Sequence, residues 1–152
     1  MKIKYLSIIL VAGFISTAAI QINKECDATA LKKELKRELR PDYKYDSSKI
    51  TRIKARGYSS NKEVEVPLFI GEHYKFIFNT AQLQSDVVIS VYNKKAGKNN
   101  RVLLYSNKDD KSGDKSTFEW EPEKSRTMYI NYEIPKGTTG DGCVVFLLGY
   151  KI

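Results

Sequence analysis

Met128-Tyr129-Ile130-Asn131-Tyr132-Glu133-Ile134 puts Met128, Ile130, Tyr132 and Ile134 on one side of an extended chain and Tyr129, Asn131 and Glu133 on the other. Successive side chains of a strand point to opposite faces, so a period of two describes a strand with one buried face and one wet face. Working outward, the same period recurs. Tyr74, Phe76 and Phe78 share a face; Val87, Ile89 and Val91 share another, with Val88, Ser90 and Tyr92 opposite. Thr51, Ile53 and Ala55 alternate with Arg52, Lys54 and Arg56, and Val64, Val66 and Leu68 with Glu63, Glu65 and Pro67. Phe118 and Trp120 alternate with Glu119 and Glu121, and Arg101 to Tyr105 makes a short strand. Val144 to Leu148 is continuously apolar, the pattern of a central strand covered on both faces.

Turn chemistry separates these runs, at Ile70-Gly71-Glu72, Ala96 to Asn100, Asp109 to Asp114 and Lys136 to Gly142. About eight strands so punctuated predict a mainly β fold, a β-sandwich or jelly roll of about eight antiparallel strands over residues 43–152. If the segments around 51–56 and 63–68 form a hairpin, a basic outer row faces an acidic one, a modestly stabilising arrangement.

Before the sheet the period is four. Asp27 is a good N-cap, Leu31, Leu35 and Leu39 form a stripe, and Pro41 ends the element, so one helix is expected over about 28–39. The stripe should pack on the sheet. Lys32, Lys33, Lys36, Arg37 and Arg40 read as its solvated face.

The first residues have the layout of a secretory signal peptide. Lys2 and Lys4 precede an apolar run from Tyr5 to Ile15 broken only by Ser7, and Ser16-Thr17-Ala18-Ala19 supplies small residues for cleavage. The run is too short to span a bilayer. Residues 1–19 are therefore read as the signal and 20–152 as one mature domain, exported to the periplasm, the exterior or an outer-membrane-associated position. Export gives the cysteine pair its meaning. Cys26 and Cys143 are the only two, and in an oxidising compartment they should form one disulfide. Without Lys2 and Lys4, 24 basic residues face 18 acidic ones. That excess favours acidic partners such as anionic glycans or lipid headgroups, and an exported chain has little occasion to meet nucleic acid.

The run from Val64 to Ile134 resembles the bacterial pre-peptidase C-terminal type of β-sandwich. The matching residues are Val66-Pro67-Leu68-Phe69-Ile70-Gly71-Glu72-His73-Tyr74-Lys75-Phe76, then Val87 to Tyr92, Leu103-Leu104-Tyr105, Phe118-Glu119-Trp120 and Thr127 to Tyr132. Ser125-Arg126 stands where that family usually places a Ser-Gly turn. The resemblance implies a non-catalytic module assisting targeting, binding or secretion. With its Lys-rich helix, Tyr43-Lys44-Tyr45-Asp46 and the ending Gly142 to Tyr150, the chain also resembles small exported proteins of the Bacteroidetes type.

Candidate chemistry is sparse. His73 is the single histidine, so any histidine-dependent triad must use it. Glu119 and Glu121 flank Trp120 and could serve a glycosidase as paired carboxylates, yet alternation alone sets them on the wet face of a strand. Asn107, Asp109, Asp110 and Asp114 make an oxygen-rich loop, a weak calcium candidate whose spacing misses the EF-hand pattern. No cofactor motif is present, and no catalytic residue is assigned. Of ten tyrosines, Tyr43, Tyr45, Tyr92, Tyr105 and Tyr129 are read as outward-facing. Tyr92, Tyr105, Trp120 and Tyr129 are the candidate binding residues, since exposed aromatics stack on sugars or anchor interfaces. The sequence thus leads to a non-enzymatic exported β-sandwich that binds an envelope protein or glycan and does not span the membrane, with a subunit of a larger envelope complex as one form of that role. The alternatives are a carbohydrate-active hydrolase using Glu119, Glu121 or His73, and a secreted inhibitor or effector.

Overall fold

The computed structural model describes residues 26–83, 85–110 and 116–152, so the export segment lies outside the described residues. One helix, α1 (Ala28–Glu38), precedes eight strands: β1 (Tyr43–Ile53), β2 (Ser60–Val66), β3 (Tyr74–Asn79), β4 (Val88–Tyr92), β5 (Leu103–Ser106), β6 (Thr117–Trp120), β7 (Met128–Ile134) and β8 (Gly142–Lys151). They form two four-stranded antiparallel sheets, β1-β8-β3-β6 and β2-β7-β4-β5. The fold is the expected β-sandwich with one N-terminal helix.

The inward faces of both sheets supply one core. Met128, Ile130, Tyr132 and Ile134 of β7 meet Phe76 and Phe78 of β3 and Val144, Phe146 and Leu148 of β8. Phe76 lies edge-on to Phe146 at 5.2 Å between ring centroids and to Trp120 at 5.4 Å. Such edge-to-face pairs add to the gain from burial. At the centre the Tyr132 hydroxyl lies toward Thr51 of the opposite sheet. Burial holds the Tyr132 phenol well above the ordinary range, and Thr51 opposes that shift.

The other face of β8 explains its unbroken apolar run. Cys143, Val145 and Leu147 pack with Ile77 beneath Leu31, Leu35, Leu39 and Tyr43. Helix α1 therefore roofs the sheet β1-β8-β3-β6, which we call the roofed sheet; β2-β7-β4-β5 is the open sheet. Asp27 caps the helix by accepting from the Ala30 amide at 3.0 Å, and its own amide donates to Gln82 at 2.7 Å. The Cys26–Cys143 disulfide ties the helix start to β8, with 5.7 Å between α-carbons. On the basic side, Lys36 and Lys32 stand 3.9 and 5.0 Å from the centre of the Tyr45 ring.

Two expectations are corrected. The segments 51–56 and 63–68 do not pair. β1 joins β8 and β2 joins β7, because the chain crosses from one sheet to the other after Ile53. Arg52 is thus on one sheet and Glu63 and Glu65 on the other, with Lys54 and Arg56 beyond the end of β1. Tyr43 and Tyr105 do not face solvent outward. Tyr43 is buried beneath the helix, and Tyr105 points inward to stack on Phe78 and Trp120.

Candidate functional site

Antiparallel topology sends the loops to two ends. Loops 54–59 and 135–141, with the described residues that follow β3 and β5, share the end near the disulfide. Loops 67–73, 93–102 and 121–127 share the other, with the terminal Ile152. The second end holds most of what the core leaves uncovered. Among the described residues, seven large hydrophobic side chains are exposed, and Phe69, Ile70, Val102, Leu103 and Ile152 are all at this end.

The loop carrying Phe69 and Ile70 is a built turn. The Glu72 amide donates to the Phe69 carbonyl, the Phe69 amide to the Tyr74 hydroxyl at 3.3 Å, and Gly71 has φ of +93°. A glycine with positive φ at the third place of a turn is what a type II geometry needs, and it leaves Ile70 on the corner. Phe69 is 77% exposed and Ile70 91%. The Ser125 hydroxyl donates to the Glu72 carbonyl and couples this turn to the neighbouring loop. Between the two lies an open cavity of about 500 Å³ lined by Ile70, Glu72, His73, Glu123, Lys124 and Arg126, among others.

Loop 93–102 is folded back over the open sheet. Arg101 pairs with Glu63 at 2.6 Å, donates to the Lys94 carbonyl at 2.9 Å, and stacks 3.6 Å from the centre of the Tyr92 ring. Glu63 also accepts from the Ala96 amide at 3.1 and 3.2 Å. A half-buried, charge-assisted pair of this kind fixes a loop more firmly than an exposed one. Lys94, Lys95 and Lys98 remain exposed along it.

The four aromatic candidates separate into two pairs. Tyr92 and Tyr129 are cross-strand neighbours on the outer face of the open sheet, in a row running Glu65, Tyr129, Tyr92, Leu103. Tyr105 and Trp120 stack on each other at 5.6 Å between centroids against the core. Burial, then the charge and hydrogen bonding of Asp110, pushes the Tyr105 phenol far above its ordinary value. Glu119 is paired with Lys75 at 2.6 Å, and Glu121 lies toward the Tyr43 hydroxyl, both on the outer face of the roofed sheet. His73 lines the cavity.

The calcium candidates meet a different fate. The Asn107 amide is already used: its oxygen accepts from the Ile89 amide at 2.9 Å and its nitrogen donates to the Val87 carbonyl at 3.1 Å. Asp110 is engaged with Tyr105, Asp109 is exposed on a single 3-10 turn, and Asp114 lies outside the described residues. Among the described residues, no three His, Cys, Asp or Glu side chains are grouped as metal ligands would be. No described helix is long and apolar enough to cross a membrane.

Sequence reasoning passed over Phe69, Ile70 and Arg101 as site residues. A signal for the first two was present: an apolar pair stands immediately before Gly71, where turns usually carry polar residues. Compared with protein-family models, curated proteins and solved structures, the chain matches none.

Proposed function

We propose that this chain is a non-enzymatic, exported binding or accessory protein of the cell envelope, meeting an envelope protein or glycan through its loop end. One observation carries the reading: five of the seven exposed large hydrophobic side chains among the described residues lie at that end, where Ile70 also lines the cavity. Exposed apolar groups that cluster mark contact surfaces, whereas single ones need no explanation. The disulfide is compatible with export, and it ties down the helix at the far end.

The test is a mild pull-down of the native protein from its own cells, repeated with a Phe69→Ser, Ile70→Ser variant and with Tyr58→Ser at the opposite end. A companion recovered with the wild-type chain and Tyr58→Ser, and lost with the paired variant, supports the reading. Recovery by all three alike removes the loop end from it. A lone monomer in every case sinks the accessory-subunit version. Turnover of a glycan or ester that vanishes in Glu121→Gln would replace binding with hydrolysis.

A further inference from the structure

We propose that the loop end seats this domain on an anionic lipid surface, with Phe69 and Ile70 entering the headgroup–acyl boundary and loop 93–102 holding the lipid charge. This goes beyond the envelope-partner reading and shares with it only the loop end as the contact surface.

The shape of the apolar surface favours lipid over protein. A protein hot spot is a packed centre within a broad complementary patch. Phe69 and Ile70 instead occupy the corner of a hydrogen-bonded turn and project from it, 77% and 91% exposed. Rigidly presented apolar residues beside cations are what an interfacial element offers a membrane: the apolar part enters the boundary and the charged part meets the headgroups. Val102 and Leu103 add a second exposed apolar pair at the same end, at the start of β5 on the opposite edge of the open sheet.

Charge complementarity names the lipid. Loop 93–102 carries Lys94, Lys95, Lys98 and Arg101 and no acidic residue. Its fold-back onto Glu63 neutralises Arg101 and leaves the three lysines facing solvent. Lys124 and Arg126 stand beside Ile70 in the cavity wall, where Glu72 and Glu123 offset them. The attraction therefore comes chiefly from 93–102. Each lysine near an anionic surface contributes roughly a fivefold gain in binding.

The measurement is co-sedimentation of the disulfide-bonded chain with vesicles of phosphatidylglycerol and phosphatidylcholine in equal parts, and with phosphatidylcholine alone. The chain should sediment with the first and not the second, and high salt should release it. The Phe69→Ser, Ile70→Ser variant should bind at least about tenfold more weakly, since both side chains lose their burial in the boundary. Changing Lys94, Lys95 and Lys98 to Gln should weaken binding roughly fivefold per residue. Tyr58→Ser should change nothing, and unaltered melting of every variant guards against misfolding. A wild-type chain that ignores anionic vesicles overturns the proposal, as does binding that the paired variant leaves intact. If the chain ignores vesicles yet captures a companion through Phe69 and Ile70, this proposal falls and the envelope-partner reading stands. Vesicle binding with no companion recovered does the reverse.

Discussion

The two sheets share a core but differ on their outer faces. In the roofed sheet, β8 is buried on both sides over Gly142–Gly149, because α1 lies across it and the disulfide holds the helix start in place. In the open sheet, the outward side chains of β2 and β7 include Asn61, Glu63, Glu65, Tyr129, Asn131 and Glu133, and loop 93–102 lies back over part of that face. The sequence pattern follows the burial: unbroken in β8, alternating in β7. The difference teaches where this domain places stability and where it leaves surface to spare. One sheet has its second face closed by its own chain. The other keeps a polar face and an apolar-tipped loop end.

The largest effect should come from opening the roof at its staple. Cys26→Ser with Cys143→Ser frees a loop spanning 117 positions and should cost up to about 4–5 kcal/mol in urea unfolding, the chain-entropy limit for so long a loop. A cost below about 1 kcal/mol would show that packing alone holds the helix. Next comes Leu35→Ala, which empties the best-buried position of the helix stripe and should cost about 2–5 kcal/mol. Gly149→Ala is smaller. An added methyl would come within 2.3 Å of Leu39 Cδ2 and 3.2 Å of the Lys44 carbonyl, so the helix end must shift, at about 1–3 kcal/mol. The open sheet supplies the contrast: Glu65→Ala on its outer face should change stability by less than about 0.5 kcal/mol. Equal losses on the two faces would break the comparison.

Much of this was legible in the sequence, because alternation and turn chemistry are local. The inward sets of β3, β4, β6 and β7 follow directly from the period of two, and the doubly buried β8 from its missing polar residues. Asp27 and the Leu31, Leu35, Leu39 stripe marked the helix to within a residue of its observed span. Strand partnership was not legible. Nothing in residues 51–56 or 63–68 states that the chain changes sheets between them. The first part of β1, from Tyr43 to Ile50, was hidden for a related reason: it is a mostly polar edge strand whose pairing comes from the β8 backbone. Tyr105 misled because the ladder between β4 and β5 is irregular between Val91 and Tyr92, which pairs Leu103 with outward Tyr92 and Tyr105 with inward Val91. The loop end was half legible, in Phe69-Ile70 beside Gly71. The fold-back that pins Arg101 to Glu63 across 38 positions was not.

The smallest effect tests the rim of the roof, where Tyr43 sits beneath the helix with its hydroxyl toward Glu121. Burial first, then the hydrogen bond and charge of Glu121 and the charge of Asp42, push its phenol up to about 12. All of these disfavour the phenolate in the folded state, while the unfolded chain releases the proton near the ordinary value of about 10. The folded form therefore holds the proton more tightly. Its contribution is fully present below pH 10 and is lost as pH rises through about 12. Lys75 stands 5.8 Å from the centre of the ring and is paired with Glu119, and other groups of any chain titrate at high pH, so the wild-type curve alone does not isolate Tyr43. Comparison with Tyr43→Phe does. The variant keeps the buried ring and the lysine but has no proton to lose. Melting temperatures of the two proteins should run parallel up to pH 10 and then diverge, the wild-type chain falling faster. Curves that stay parallel to pH 12 would mean that the phenolate is accommodated in the folded state, and that the roof is open to water at its rim like the face of the other sheet.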